Sequence, residues 1–148
     1  HPELLSIKNY HFTIVGAVKT EKEQIDMIEK YKSYDNISIF FNQKDLAPFY
    51  RKAKVFVNPM FHGSGVKIKS VMALVNGLPL VSTSVGAEGI GLGEDMYWKA
   101  NDKNSFLEAI REVFTSDANV LEKHVNLAQN HLEKYHYLKV LQQELSQL

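Results

Sequence analysis

The feature that most constrains the fold of this chain is the alternation of short apolar runs with helix-like segments. Continuous apolar runs of this length are typical of parallel strands that are buried on both faces. Strands that alternate with helices imply right-handed crossovers, so the chain is predicted to be an α/β protein with a doubly wound, Rossmann-like parallel sheet. The predicted strands are residues 12–15, 37–41, 55–57 and 80–81, and the predicted helices are residues 21–32, 46–53 and 66–76.

The pattern changes after Gly93. Residues 96–98 predict a last short strand, and helices with one apolar side are predicted over residues 104–115 and 120–134. Leucines spaced three or four residues apart predict a final amphipathic helix from Leu138 onward. We therefore expect a single domain over residues 1–148, with the C-terminal helices 104–148 packing on it.

Composition excludes several classes of protein. The 17 basic and 17 acidic residues cancel, which argues against a nucleic-acid partner. The chain has no cysteine, so disulfides and thiolate sites are excluded, and we expect a cytoplasmic location. No apolar run approaches the roughly 18 residues of a membrane span, and no signal peptide is visible. Because the chain begins at His1 rather than methionine, we expect it to be part of a longer protein.

The most informative chemical segment is HGSGVKIK at residues 62–69, which joins a predicted strand to a predicted helix. Glycines such as Gly63 and Gly65 let the backbone approach a ligand closely, and a helix N-terminus favours an anion. Lys67 and Lys69 follow in the first helical turns, where a cation is unfavourable by roughly 0.3–1 kcal/mol. Two interpretations stay open. The turn binds nothing and its lysines point to solvent, or an anionic ligand meets them.

A second glycine-rich segment covers residues 85–93. Its one acidic residue, Glu88, lies between Gly86 and Gly89 and either faces a ligand crevice or orders its own loop. In open α/β sheets, ligands bind beyond the carboxyl ends of the strands. The candidate site segments are therefore residues 16–19, 42–45, 58–67 and 82–93.

Several common site motifs are missing. The first predicted strand ends at Gly16 without the further glycines of a dinucleotide fingerprint, and Lys67 is not followed by the Ser or Thr of a Walker A loop. No metal is expected, because His124 and His131 lack ligand spacing and solvated helix histidines are commoner. Ser64 lies between two glycines, but no general base is placed beside it. No catalytic residue is assigned.

The helix after the glycine turn carries an apolar stripe. Ile68, Val71, Met72 and Val75 recur at the spacing of one helix face, which predicts that this face packs against the sheet. The expected role of Met72 is therefore core packing.

Together, these segments resemble the C-terminal, nucleotide-sugar-binding half of a group 1 glycosyltransferase of the GT-B fold. The family run is Gly-x-Gly-x-Lys-x-Lys, a helix, then Gly-x-Pro-Val-Val-x-Thr-x-x-Gly-x-Glu-Gly. The matching segments are GSGVKIK at residues 63–69, GLPLVST at 77–83 and GAEG at 86–89. Weaker likenesses are DLAPFY at 45–50, AKVFVNP at 53–59 and YHY at 135–137, which resembles the Tyr-Ser-Trp that opens the family's closing helix.

The resemblance implies a nucleotide-sugar donor and no further cofactor. It implies that the donor's diphosphate and sugar lie at Gly63, Ser64, Gly65, Val66 and Lys67. It also implies that the base and ribose lie near Phe41, Asn42, Gln43 and Met72. The glycine-rich loop of the site is represented by Gly86, Glu88 and Gly89.

The chain departs from the family pattern at three positions. Many members have two glutamates where this sequence has Ser64 and Met72, and the second of them usually binds the ribose hydroxyls. Methionine cannot accept those hydrogen bonds. Phe41 replaces a glycine that commonly follows the second strand.

The sequence therefore predicts the donor-binding half of a glycosyltransferase that moves a sugar from a nucleotide to a glycan or another acceptor. An absent N-terminal half is expected to hold the acceptor and to make any peripheral contact with a membrane. The isolated chain is expected to be inactive. The alternative is a degenerate, non-catalytic α/β module that serves binding or assembly. A receiver-like signalling domain is disfavoured, because no acidic cluster follows a strand.

Overall fold

The computed structural model describes residues 10–134, and these form an α/β structure in which every paired strand is parallel. In chain order the elements are β1 (Phe12–Gly16), α1 (Glu21–Tyr31), β2 (Ile37–Phe41), α2 (Ala47–Lys52), β3 (Phe56–Asn58), α3 (Ile68–Val75), β4 (Leu80–Ser82), β5 (Trp98–Lys99), α4 (Lys103–Thr115) and α5 (Ala118–Lys134). A short 3₁₀ turn, Val85–Ala87, follows β4. The helix predicted from Leu138 and the YHY segment lie outside the described residues.

The first of two compact units ends at Arg51. Its two strands pair in register from Phe12 opposite Ile37 to Gly16 opposite Phe41. The connecting helix α1 begins with a capping box, in which the Thr20 hydroxyl accepts from the Glu23 N–H and the Glu23 carboxylate accepts from the Thr20 N–H. This reciprocal pair satisfies donors that a helix start leaves without partners.

The second unit begins at Lys52 and contains a parallel sheet in the order β3, β4, β5. The central strand β4 is buried at all three positions, as expected for a strand with a partner on each side. The predicted class, parallel strands joined by helices, is confirmed. Hydrogen bonding divides the strands between two sheets, one in each unit.

Helix α5 packs against α3 over the second unit's sheet. The core cluster of this unit joins residues from the helices, from β4 and from the loop after it, and burial of such apolar side chains drives folding. Its buried members are Val71, Leu74, Leu80, Ala87, Ile90, Tyr97, Ala128 and Leu132. Within the described part of the chain, no helix is long and apolar enough to cross a membrane.

The predicted buried face of α3 is confirmed for Val71, Met72 and Val75, which are buried or pack against the core cluster, and is wrong for Ile68. The structure buries Lys67, Ser70, Val71 and Leu74, whereas Ile68 keeps 38% of its surface exposed. The buried face also includes two polar side chains, Lys67 and Ser70, that a hydropathy pattern cannot select. Met72 is partly buried and packs against the core cluster, as expected.

Candidate functional site

The candidate site is built on two glycine-rich segments of the second unit. One runs from the end of β3 to the start of α3, and the other follows β4, so both leave carboxyl ends of neighbouring parallel strands. Gly63 and Gly65 in the first segment have φ values of +124° and +78°, which L-residues with a side chain rarely adopt. Glycine is therefore required for the shape of this turn.

Lys67 is the residue immediately before α3, and its side chain is only 5% exposed. The ammonium lies 3.5 Å from the Oε2 atom of Glu88. It also lies close to the backbone of Gly63, since a Cβ built there would be 3.8 Å from Nζ. The interpretation in which this lysine points to solvent is therefore wrong for Lys67, whereas Lys69 is exposed.

Glu88 directs its carboxylate to Lys67 and also helps to order its own loop. Its side chain is 55% exposed, and its backbone N–H donates to the carbonyl of Val85 at 3.2 Å, which closes the 3₁₀ turn. The backbone of Glu88 therefore supports the loop-ordering expectation, whereas a role of its side chain toward a ligand stays a prediction.

Gly89 brings the two segments into contact. It has a φ of +75°, and a Cβ placed there would lie 3.1 Å from the Cα and 3.2 Å from the N of Val66. These distances are tighter than ordinary van der Waals contact, so a side chain at position 89 would require the backbone at Val66 to shift. The structure therefore places the predicted diphosphate turn beside the predicted glycine-rich loop.

Gly86 is held on both sides by three side chains, of which Asn58 and Thr83 lie in predicted site segments and Ser70 was missed. Its carbonyl oxygen accepts from the Ser70 hydroxyl at 2.6 Å and from the Asn58 amide at 3.2 Å, while its N–H donates to the Thr83 hydroxyl at 2.8 Å. The Asn58 amide also donates to the Ser70 hydroxyl at 2.9 Å. All three side chains are buried. The sequence signal for Asn58 and Thr83 was their position after predicted strands, and no signal pointed to Ser70.

The remaining residues of the predicted turn are exposed. Ser64 has no side-chain hydrogen bond among the residues that the structure describes, and Val66 keeps 44% of its surface exposed. A general base beside Ser64 is therefore not visible in this part of the chain.

Phe41, Asn42 and Gln43 belong to the first unit, where they join the ends of its two strands. Asn42 has a φ of +52°, its N–H donates to the Gly16 carbonyl at 2.9 Å, and its Oδ1 accepts from the Val18 N–H at 3.0 Å. The Gln43 amide donates to the carbonyl of Phe41 at 2.9 Å. These contacts fix the strand ends, and a role for the three residues near a base stays a prediction.

The two helix histidines bind different parts of the second unit. His124 stacks on Trp98 with a centroid distance of 4.3 Å, and its Nδ1 lies 3.0 Å from the Val120 carbonyl. His131 contacts the carbonyl of Ile90 through Nε2 at 2.8 Å. Over residues 10–134, no three His, Cys, Asp or Glu side chains are grouped as metal ligands would be.

Comparison with known proteins shows the family to which this chain belongs. The family described as Glycosyl transferases group 1 matches residues 2–116, which is most of the chain. The chain belongs to the group 1 glycosyltransferases. The family resemblance expected from the glycine turn and the segments after it is therefore confirmed.

Two individual proteins are also similar to this chain. An uncharacterized 44.6 kDa protein in the cps region of Klebsiella pneumoniae is 39% identical over 71 residues, which are 47% of this chain and 18% of that protein. The crystal structure of a glycosyltransferase from Rickettsia africae has a TM-score of 0.73 at 14% identity, over 90% of this chain and 37% of that one.

The pneumococcal O-GlcNAc transferase, solved with UDP and GlcNAc, has a TM-score of 0.67 at 15% identity and is matched over 99% of this chain and 31% of that one. At such identities the likeness shows the shared fold, which confirms the predicted Rossmann-like, GT-B-related architecture. The chain spans well under half the length of each of these relatives.

Proposed function

We propose that this chain binds the nucleotide-sugar donor of a glycosyltransferase, with the donor's diphosphate at the turn from Gly63 to Lys67. The observation that carries the proposal is the buried ammonium of Lys67, which lies beside a glycine turn and has one carboxylate at 3.5 Å. A buried ammonium needs negative charge close to it. A diphosphate supplies that charge at a turn whose backbone conformation is one that glycine adopts, at Gly63 and Gly65.

Transfer of the sugar leaves negative charge on the departing diphosphate. A lysine that the protein already holds in place stabilises such charge as it develops, because no reorganisation of the ammonium is needed during the reaction. Lys67 meets this description, because burial restricts its side chain. It also lies at the start of α3, where the positive end of the helix dipole attracts an anion as the ammonium does. Its proposed role is therefore to bind the diphosphate and to stabilise it as the leaving group.

The rest of the reaction is assigned to chain outside this sequence. The relatives are longer than the matched region, and the family resemblance implies a second half that holds a glycan or other acceptor. The pneumococcal relative, solved with UDP and GlcNAc, supports a nucleotide donor for this chain as well.

A second candidate function is donor-independent binding or assembly by a degenerate domain. Met72 favours it, because this side chain packs against the core cluster and offers no oxygen to ribose hydroxyls. Measured donor affinity separates the two candidates: the degenerate domain binds no nucleotide.

The test is calorimetry on the full-length protein with nucleoside diphosphates and their parent nucleosides. Lys67→Ala is expected to weaken diphosphate binding by at least about tenfold, since a charge-assisted contact contributes roughly 1.5–3 kcal/mol. Nucleoside binding should change little. Lys69→Ala, which removes an exposed lysine of the same helix, is the matched control. Equal losses for both ligands in Lys67→Ala would contradict the proposed contact.

A further inference from the structure

The ion pair between Lys67 and Glu88 is unequal. The lysine side chain is 5% exposed and the glutamate side chain is 55% exposed. Their separation of 3.5 Å is at the outer limit of a hydrogen bond, so the carboxylate is a loose partner for a buried charge. In the described part of the chain, Lys67 has no other ion pair.

The backbone that carries Glu88 is held firmly, in contrast to its side chain. Two residues earlier, Gly86 is bonded by Ser70, Asn58 and Thr83, and one residue later Gly89 lies against Val66. Ser70 is one turn after Lys67 on the same buried face of α3. Rotation of the Glu88 side chain alone can therefore break the ion pair without moving the loop.

Donor binding at this turn brings a second anion to the same ammonium. A diphosphate carries more negative charge than one carboxylate and offers several acceptor oxygens, so it forms the stronger charge-assisted hydrogen bonds. Glu88 and the diphosphate cannot both lie against Lys67 without mutual repulsion, which disfavours two anions at close range. The half-exposed partner is the one that can return to water at low cost.

We propose that Glu88 is an exchangeable counterion of Lys67. Glu88 pairs with the buried ammonium when the turn holds no donor. The donor's diphosphate replaces the Glu88 carboxylate on binding, and the ion pair forms again when the nucleoside diphosphate leaves. This inference rests on the proposed donor site. It makes Glu88 a determinant of donor affinity and product release, without a contact to the reacting atoms.

The decisive variant is Glu88→Gln in the full-length protein, with inorganic pyrophosphate as the probe because it needs no knowledge of the base. Removing the competing carboxylate is expected to tighten pyrophosphate binding roughly two- to fivefold, the range for a partly exposed ion pair. Glu94→Gln removes an exposed charge beyond the loop and is the matched control, with unchanged affinity expected.

A double-mutant cycle separates exchange from a general gain of positive potential. In a Lys67→Met background, Glu88→Gln is expected to leave any residual pyrophosphate affinity unchanged, because the ammonium for which the two anions compete is gone. A similar gain in both backgrounds would show a long-range charge effect and overturn the exchange. Should Glu88→Gln fold poorly, Glu88→Asp keeps the charge, shortens the reach and is expected to tighten binding by a smaller factor.

Two other outcomes are decisive. If wild-type protein binds pyrophosphate and Glu88→Gln binds it equally well or more weakly, Glu88 stays on Lys67 in the complex and the exchange is wrong, although the proposed donor site stands. If wild-type protein binds neither pyrophosphate nor any nucleoside diphosphate, both proposals are wrong.

Discussion

The hydroxyl of Ser70 donates a 2.6 Å hydrogen bond to the carbonyl oxygen of Gly86, sixteen residues later in the chain. Both residues are buried, and the bond joins the first turn of α3 to the loop that carries Glu88. It therefore links the two glycine-rich segments from inside the protein, while the pair between Lys67 and Glu88 links them nearer the surface.

Ser70→Ala is expected to lower the free energy of unfolding by about 1–3 kcal/mol, because it leaves the Asn58 amide without one of its two acceptors inside the core. Denaturant titration measures the change. Ser116→Ala removes a hydroxyl bond to the Glu112 carbonyl at an exposed helix end, and a change below about 0.5 kcal/mol is expected there. Equal effects of the two substitutions would contradict the importance of the buried bond.

Gly86→Ala is expected to destabilise the protein by roughly 1–3 kcal/mol through overpacking. A Cβ at this position would lie 2.4 Å from the Ser82 hydroxyl and 3.0 Å from the backbone oxygen of Asn58, and backbone cannot move as a flexible side chain does. Gly16→Ala is the control, since nothing lies within 4 Å of a Cβ built there. Thermal melts of both variants test the difference.

Met72→Glu addresses the position where the family has a ribose-binding glutamate. Because Met72 packs against the core cluster, a carboxylate there is expected to lower the melting temperature, whereas Met72→Leu conserves volume and should cost less than about 1.5 kcal/mol. The paired measurement is affinity for nucleoside diphosphates. An unchanged melting temperature with tighter nucleotide binding would show that this position is open to a ribose.

The N-cap of α4, Asp102, is expected to make the stability of the protein depend on pH. Hydrogen bonds from the backbone of Ser105 first, then from its side chain and from the backbone of Asn104, hold the pKa of the Asp102 carboxyl below its ordinary value. The ionised cap therefore stabilises the fold above the unfolded pKa of about 3.9 and loses this effect as pH falls through the lower folded value.

Asp102→Asn keeps a capping oxygen but does not titrate, so its melting temperature should fall less than that of the wild type below about pH 4. Asp26→Asn, an exposed position within α1, serves as the control. Parallel pH profiles for wild type and Asp102→Asn would contradict a contribution from this cap.

Sequence predicted most of the elements, because their patterns are local. The strand predicted over residues 37–41 has the same bounds as β2, and the helix predicted over residues 104–115 differs from α4 by one residue. The face of α3 was not predictable in the same way. Lys67 and Ser70 are buried because partners distant in the sequence satisfy them, and hydropathy carries no record of such partners.

The candidate site was predicted in part. The glycine turn and the loop after β4 were both identified as site segments, and the structure brings them together. Lys67 and Glu88, which form an ion pair, are twenty-one residues apart in the sequence. Asn58 and Gly86, which are joined by a hydrogen bond, are twenty-eight residues apart. Such long-range polar contacts depend on how the strands align, which no local pattern specifies.

The close approach of Gly89 to Val66 has a consequence for how this family member can evolve. Steric conflicts in cores are commonly relieved by a second, compensating substitution that shrinks the neighbour. At position 89 the nearest atoms belong to the backbone of residue 66 as well as to its side chain, so no smaller residue at 66 makes room. Replacement of this glycine in any descendant would therefore require a shift of the backbone at residue 66, together with a side chain in the left-handed conformation at residue 89.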